Sequence, residues 1–89
     1  MDIELLLFGR FREIAGTTEQ VISVKEGACL SDLMQQLAER YGADFGTELD
    51  RSRWLRILVN GREYTVLDGM ETSLKPKDKV VIMPPIAGG

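Results

Sequence analysis

Two atoms in this chain are candidates for chemistry. One is the carboxylate that follows Gly88-Gly89, read as the chain's own terminus. The other is the thiol of Cys29, the single cysteine. There is no histidine, which removes the commonest general base and the commonest metal ligand. A lone cysteine can form neither an internal disulfide nor a cysteine-rich metal site. No catalytic constellation is visible, so no catalytic residue, metal ligand or bound cofactor is expected.

The carboxylate is the stronger candidate because of what precedes it. Val80-Val81-Ile82-Met83 is an apolar, β-branched run, the pattern of a buried strand. Pro84 and Pro85 cannot donate to a ladder, so they end the strand and favour an extended exit. The six residues Pro84 to Gly89 can reach about 20 Å when extended. Gly88 and Gly89 carry no side chain to obstruct a narrow entrance. The chemistry this suggests is an acyl group presented to another protein's active site. Gly89 would be the atom of attachment, with Gly88, Ala87 and Pro85 inserted behind it. A frayed terminus would show the same two glycines, and the rest of the chain must decide.

Cys29 lies at the expected start of a helix, where a thiol can become nucleophilic. A lone cysteine is more often a small, partly buried packing residue, and Cys29 is read that way.

The composition allows one modest domain. At 89 residues, 44% hydrophobic and 28% charged, the chain is of ordinary globular type. Its net charge is −3 with the basic residues scattered, which gives no nucleic-acid footprint. No apolar run approaches the roughly 18 residues of a membrane span, and Met1-Asp2 opens no signal peptide. A cytoplasmic protein without nucleic-acid or membrane partners is expected.

The elements that would carry the tail follow from periodicity. Asp2 to Phe8 predicts a strand with Ile3, Leu5 and Leu7 on the core face and Glu4, Leu6 and Phe8 on the other. Phe11, Ile14 and Ala15 suit a short helical turn closed by Gly16. Glu19 to Val24 predicts a second strand, antiparallel to the first. Leu30, Leu33, Met34, Leu37, Ala38 and Tyr41 repeat at helical spacing, with Asp32 at the positive end and Gly42 as the stop. Ala43 to Arg53 reads as a long solvated connection, with a second short helix as the alternative: Phe45 and Leu49 are spaced as on one helical turn, but Gly46 and the charged residues weaken that pattern. Leu55 to Val59 and Arg62 to Val66 read as strands joined at Asn60-Gly61, a strong hairpin signal. Asp68-Gly69 is a turn, and Lys79 to Met83 is the last strand, apolar on both faces as in a sheet centre.

These elements predict an α+β domain, a two-layer β-grasp in which a mixed sheet holds one main helix at about 30–41. Residues 1–83 would form the body and 84–89 an extended, flexible tail. If Val80 and Ile82 face the helix, Val81 and Met83 join Leu6, Phe8 and Leu58 on the open face. That apolar set is read as a partner-binding patch. The alternative is that the 43–53 connection covers it.

The motifs resemble a known family. Leu6-Leu7-Phe8-Gly9-Arg10-Phe11-Arg12-Glu13-Ile14-Ala15-Gly16 is similar to the opening of the molybdopterin synthase small subunit. Leu58-Val59-Asn60-Gly61 resembles its hairpin. Leu74-Lys75-Pro76-Lys77-Asp78-Lys79-Val80 and Met83-Pro84-Pro85-Ile86-Ala87-Gly88-Gly89 resemble its end. This is the MoaD/ThiS group of ubiquitin-like sulfur carriers. The 43–53 stretch matches longer, often archaeal, relatives, some of which modify proteins.

The resemblance implies a carrier with no catalysis of its own. An E1-like enzyme would use ATP to adenylate Gly89, and a sulfur donor would convert it to a thiocarboxylate. The large synthase subunit would receive the sulfur for molybdenum cofactor synthesis, in a heterotetramer. The alternatives implied are conjugation through Gly89 to target lysines, or sulfur supply for tRNA thiolation or thiazole synthesis.

Overall fold

Strand β1 (Asp2–Leu7) sets the frame, and its side chains alternate as predicted. In this computed structural model, which describes residues 1–51 and 55–84, Ile3, Leu5 and Leu7 are fully buried while Asp2 and Glu4 are exposed. Helix α1 (Arg10–Ala15) follows at once, anchored by Phe11 in the core. Strand β2 (Glu19–Ser23) returns antiparallel, pairing Ile3 with Ile22 and Leu6 with Glu19. Helix α2 (Leu30–Tyr41) has the predicted bounds, and its stripe of Leu30, Leu33, Met34 and Leu37 is buried against the sheet.

The remaining strands close the sheet around the end of the chain. Strands β3 (Arg56–Val59) and β4 (Arg62–Glu63) flank the Asn60-Gly61 turn. Asn60 and Gly61 have φ of 52° and 83°, the left-handed pair that a two-residue hairpin matching the sheet's twist requires. Strand β5 (Lys79–Met83) lies between β1 and β3, in the order β2-β1-β5-β3-β4. It runs parallel to β1 and antiparallel to β3. The first and last strands thus sit side by side at the centre, and the helices cover one face. This is the two-layer β-grasp fold.

Two expectations are corrected. The stretch from Ala43 is not a solvated connection: the helix weighed as its alternative is present, and longer, as α3 (Ala43–Arg51). Phe45 is fully buried, with its ring centroid 5.4 Å from Phe11 and 5.6 Å from Tyr41. Gly46, which weakened the helical pattern, faces the Ala38 side chain, so two small residues meet where α3 crosses α2. Arg53 lies outside the described residues. The second correction concerns Arg62 to Val66. Only Arg62 and Glu63 pair with β3, and Tyr64–Val66 turns into a 3₁₀ helix. Among the described residues this edge strand has no neighbour beyond it, and Val66 is 70% exposed. Pairing therefore stops where cross-strand contacts no longer reward it.

A polar cluster locks the hairpin to the start of β5. The Asn60 amide donates to Asp78 Oδ1 at 2.8 Å and accepts from the Lys79 N–H at 2.9 Å. Asp78, buried, also accepts from the Lys75 N–H at 2.8 Å. Asp78→Ala leaves both donors without a partner, and should lower stability by about 2 kcal/mol. Thermal denaturation checks this; an unchanged melting temperature would mean that water replaces the carboxylate at no cost.

Candidate functional site: the tail exit and the open face of the sheet

The tail leaves from the middle of the sheet. Parallel pairing of β1 with β5 runs from Glu4–Lys79 to Leu7–Ile82, and the Phe8 N–H continues it by donating to the Ile82 carbonyl at 3.1 Å. Both strands then stop together. β1 ends at Leu7 and β5 at Met83, where Pro84 has no N–H to extend the ladder. Gly9 and Pro84 touch. A Cβ built on Gly9 would lie 2.6 Å from Pro84 Cγ and 3.0 Å from Cδ, and Gly9 has φ of 61°. Sequence reading missed this contact, because a glycine after a strand reads only as a loop. Pro85, Ala87, Gly88 and Gly89 lie outside the described residues, as does all of the proposed tail except Pro84.

The five predicted patch residues share the face opposite the helices. Leu6 pairs with Val81, and Val81 with Leu58, so three strands contribute one apolar row. Glu19 and Glu63 close this row at its two ends. Met83 pairs with Arg56, and extending the β1–β5 register by one places Phe8 on its other side. All five are half-buried, and none belongs to the hydrophobic core or to the side chains packed against it. Helix α3 packs against α1 and α2 on the far side of the sheet. Among the described residues, then, the 43–51 segment does not cover the patch. Arg56 and Glu63 form an ion pair at its margin, with nitrogen and oxygen 2.6 Å apart.

Cys29 lies where expected, at the N-cap of α2, and is partly buried. Its N–H donates to Asp32 Oδ2 at 3.0 Å, and its sulfur lies 3.0 Å from Ser31 Oγ and 3.4 Å from the same carboxylate. The Cys29 N–H bond, then the thiol, and more weakly Lys25 hold the Asp32 carboxyl below its ordinary range. The thiol thus has an anionic partner, whereas activated cysteines sit beside cations. Among the described residues no group of three or more His, Cys, Asp or Glu side chains could hold a metal.

Among the described residues, the last strand ends at the centre of a β-grasp sheet beside a half-buried apolar face, an architecture that suits a ubiquitin-like carrier or modifier. Residues 5–89 match the ThiS family, and the chain belongs to it. It is 35% identical over 92 aligned residues to small archaeal modifier protein 3 of Haloferax volcanii, with both chains covered in full. It is 34% identical to the molybdopterin synthase sulfur carrier subunit of Chlamydomonas reinhardtii, again over all of both chains. Among solved structures, that of the Haloferax volcanii HVO 2177 protein superposes with a TM-score of 0.79 at 34% identity, covering 100% of this chain and 87% of that one. Small archaeal modifier protein 1 of Methanosarcina acetivorans gives 0.77 at 29% identity, covering 99% and 96%.

Proposed function

We propose that this chain is a cytoplasmic sulfur carrier, the small subunit of a molybdopterin synthase, and that Gly89 is its reactive terminus. The observation that carries the reading is the family match running to Gly89, together with unbroken similarity to the algal sulfur carrier subunit. The Gly89 carboxylate attacks the α-phosphorus of ATP on an E1-like enzyme, forming an acyl-adenylate and releasing pyrophosphate. Hydrosulfide from a sulfur donor displaces AMP and leaves a thiocarboxylate. The large subunit passes that sulfur to a pterin precursor, and water restores the carboxylate. ATP belongs to the activating enzyme, and this chain contributes the acyl group and a docking face.

The test is reconstitution. The chain, the E1-like enzyme of the same host and ATP should exchange labelled pyrophosphate, and addition of sulfide should yield the thiocarboxylate. Deleting the gene in the host should remove molybdenum-cofactor-dependent enzyme activity. No exchange, or a deletion that leaves those enzymes active, would overturn the assignment.

The 35% identity to small archaeal modifier protein 3 favours a second reading, conjugation through Gly89 to target lysines. Trypsin would cut after Lys79, so a conjugate would carry the branched remnant Val80–Gly89 on the target lysine.

The docking face makes its own prediction. Phe8→Asp places a charge beside Met83 and should weaken binding to the activating enzyme by about 2–4 kcal/mol, the range of an interface anchor. Phe8 is outside the core, so the melting temperature should change little. Calorimetric titration and thermal denaturation separate the cases: unaltered affinity with a large loss of stability would make Phe8 a packing residue.

A further inference from the structure

We propose that Gln36 and Thr17 guard the long edge of the sheet, and that without them β2 pairs with β2 of a second copy of this chain. The inference rests on β2 and α2 and is independent of the reading of Gly89. The two edges of the sheet are unequal. β4 is two residues long and turns away into a 3₁₀ helix, whereas β2 runs for five residues in unbroken register with β1. Among the described residues nothing pairs with the other side of β2. Such an edge is a template for a further strand unless something blocks it.

The register fixes which backbone groups face outward. Met1 and Val24 exchange bonds in both directions, at 2.7 and 2.9 Å, and the Leu7 N–H donates to the Thr18 carbonyl at 2.7 Å. Gln20 and Ile22 lie in the same phase and point their N–H and C=O groups at β1. Glu19, Val21 and Ser23 therefore turn theirs away from the sheet. Two of these carbonyls are already occupied: Gln36 reaches from α2 to donate to that of Ser23 at 2.7 Å, and Thr17 Oγ1 donates to that of Glu19 at 3.0 Å. Between them Val21 is uncapped, and it is 63% exposed.

The strand is also complementary to itself. In a two-fold antiparallel pair centred on Val21, valine faces valine, Glu19 faces Ser23 and Gln20 faces Ile22, so no like charges meet. Every rung except the central one uses the carbonyl of Glu19 or Ser23. An incoming amide must displace the Thr17 or Gln36 donor to reach it. With both guards in place only the Val21 rung can form, too little to hold two copies together. What the guards keep free is the open face: pairing would merge two sheets and set a second body beside the row of Leu6, Val81 and Leu58.

Sedimentation equilibrium tests this with wild type, Gln36→Ala, Thr17→Val and the double variant. Both positions lie outside the core and alanine suits a helix, so calorimetry should show the fold retained. Each guard acts twice in a two-fold dimer. Its loss should tighten self-association at least about tenfold, and loss of both at least about a hundredfold. At about 1 mM chain the double variant should be largely dimeric and wild type monomeric. Adding Val21→Lys sets like charges opposite each other on the axis and should restore the monomer. A double variant that stays monomeric at that concentration would overturn the proposal, as would a wild type already dimeric. Dimers that survive Val21→Lys would overturn it too, because the copies would then meet elsewhere. Should the double variant fail to fold, the single variants decide by the same readings.

Discussion

Removing Gly88 and Gly89 should abolish activation by the E1-like enzyme and leave the melting temperature unchanged. Among the described residues, the core runs from Ile3 to Ile82, and the truncated chain keeps all of it. What changes is reach. Loss of two residues withdraws the carboxylate by about 7 Å, too far for attack on a phosphorus atom bound in a fixed site. Gly88→Val is the milder version. It keeps the reach but adds a branched side chain next to the reacting group, and should slow adenylation about a hundredfold, the scale of an ångström of misplacement. Pyrophosphate exchange and scanning calorimetry on the same samples check both variants. Near-normal turnover in either would mean that the tail is not what the enzyme receives.

Phe45→Ala should be the most damaging substitution in the helical layer. The ring is fully buried between Phe11 and Tyr41, and truncating such a residue costs about 3–5 kcal/mol. Domains of this type are stable by only about 5–15 kcal/mol. For a chain near this length that loss corresponds to a fall of at least about 12 °C in melting temperature. Thermal and urea denaturation measure it. A loss below about 1 kcal/mol would mean that α3 is an appendage, as its charged sequence suggests, and not a part of the core.

Those two predictions mark where the sequence is and is not legible. The helix from Leu30 to Tyr41 was readable to the residue, because six apolar positions repeat along one face and Asp32 caps it. The central position of β5 was readable from its aliphatics on both faces, whereas its pairing with β1 was not fixed by pattern. The turn at Asn60-Gly61 was readable because that pair suits left-handed backbone. Helix α3 was not. A glycine and many charges obscured it, although Tyr41, Phe45 and Leu49 recur every four residues through Gly42. That spacing was the available signal, and it was broken by taking Gly42 as the end of a face. β4 was overestimated because its length depends on having a neighbour, which local pattern does not encode. The open-face residues were placed correctly by alternation alone. The contact of Gly9 with Pro84 could not be read at all, since the two residues lie 75 positions apart.

Among the described residues, the chain offers a central last strand, a corner without a side chain beside its end, and a half-buried apolar face around it. On the proposed reading, catalysis belongs to the partner enzymes. Mass spectrometry of the protein purified from its native host tests this most directly. A fraction of the terminal peptide should carry sulfur in place of one oxygen at Gly89, or appear joined through Gly89 to a lysine. A terminus found only as free carboxylate, during growth that demands molybdenum cofactor, with no conjugate present, would contradict it.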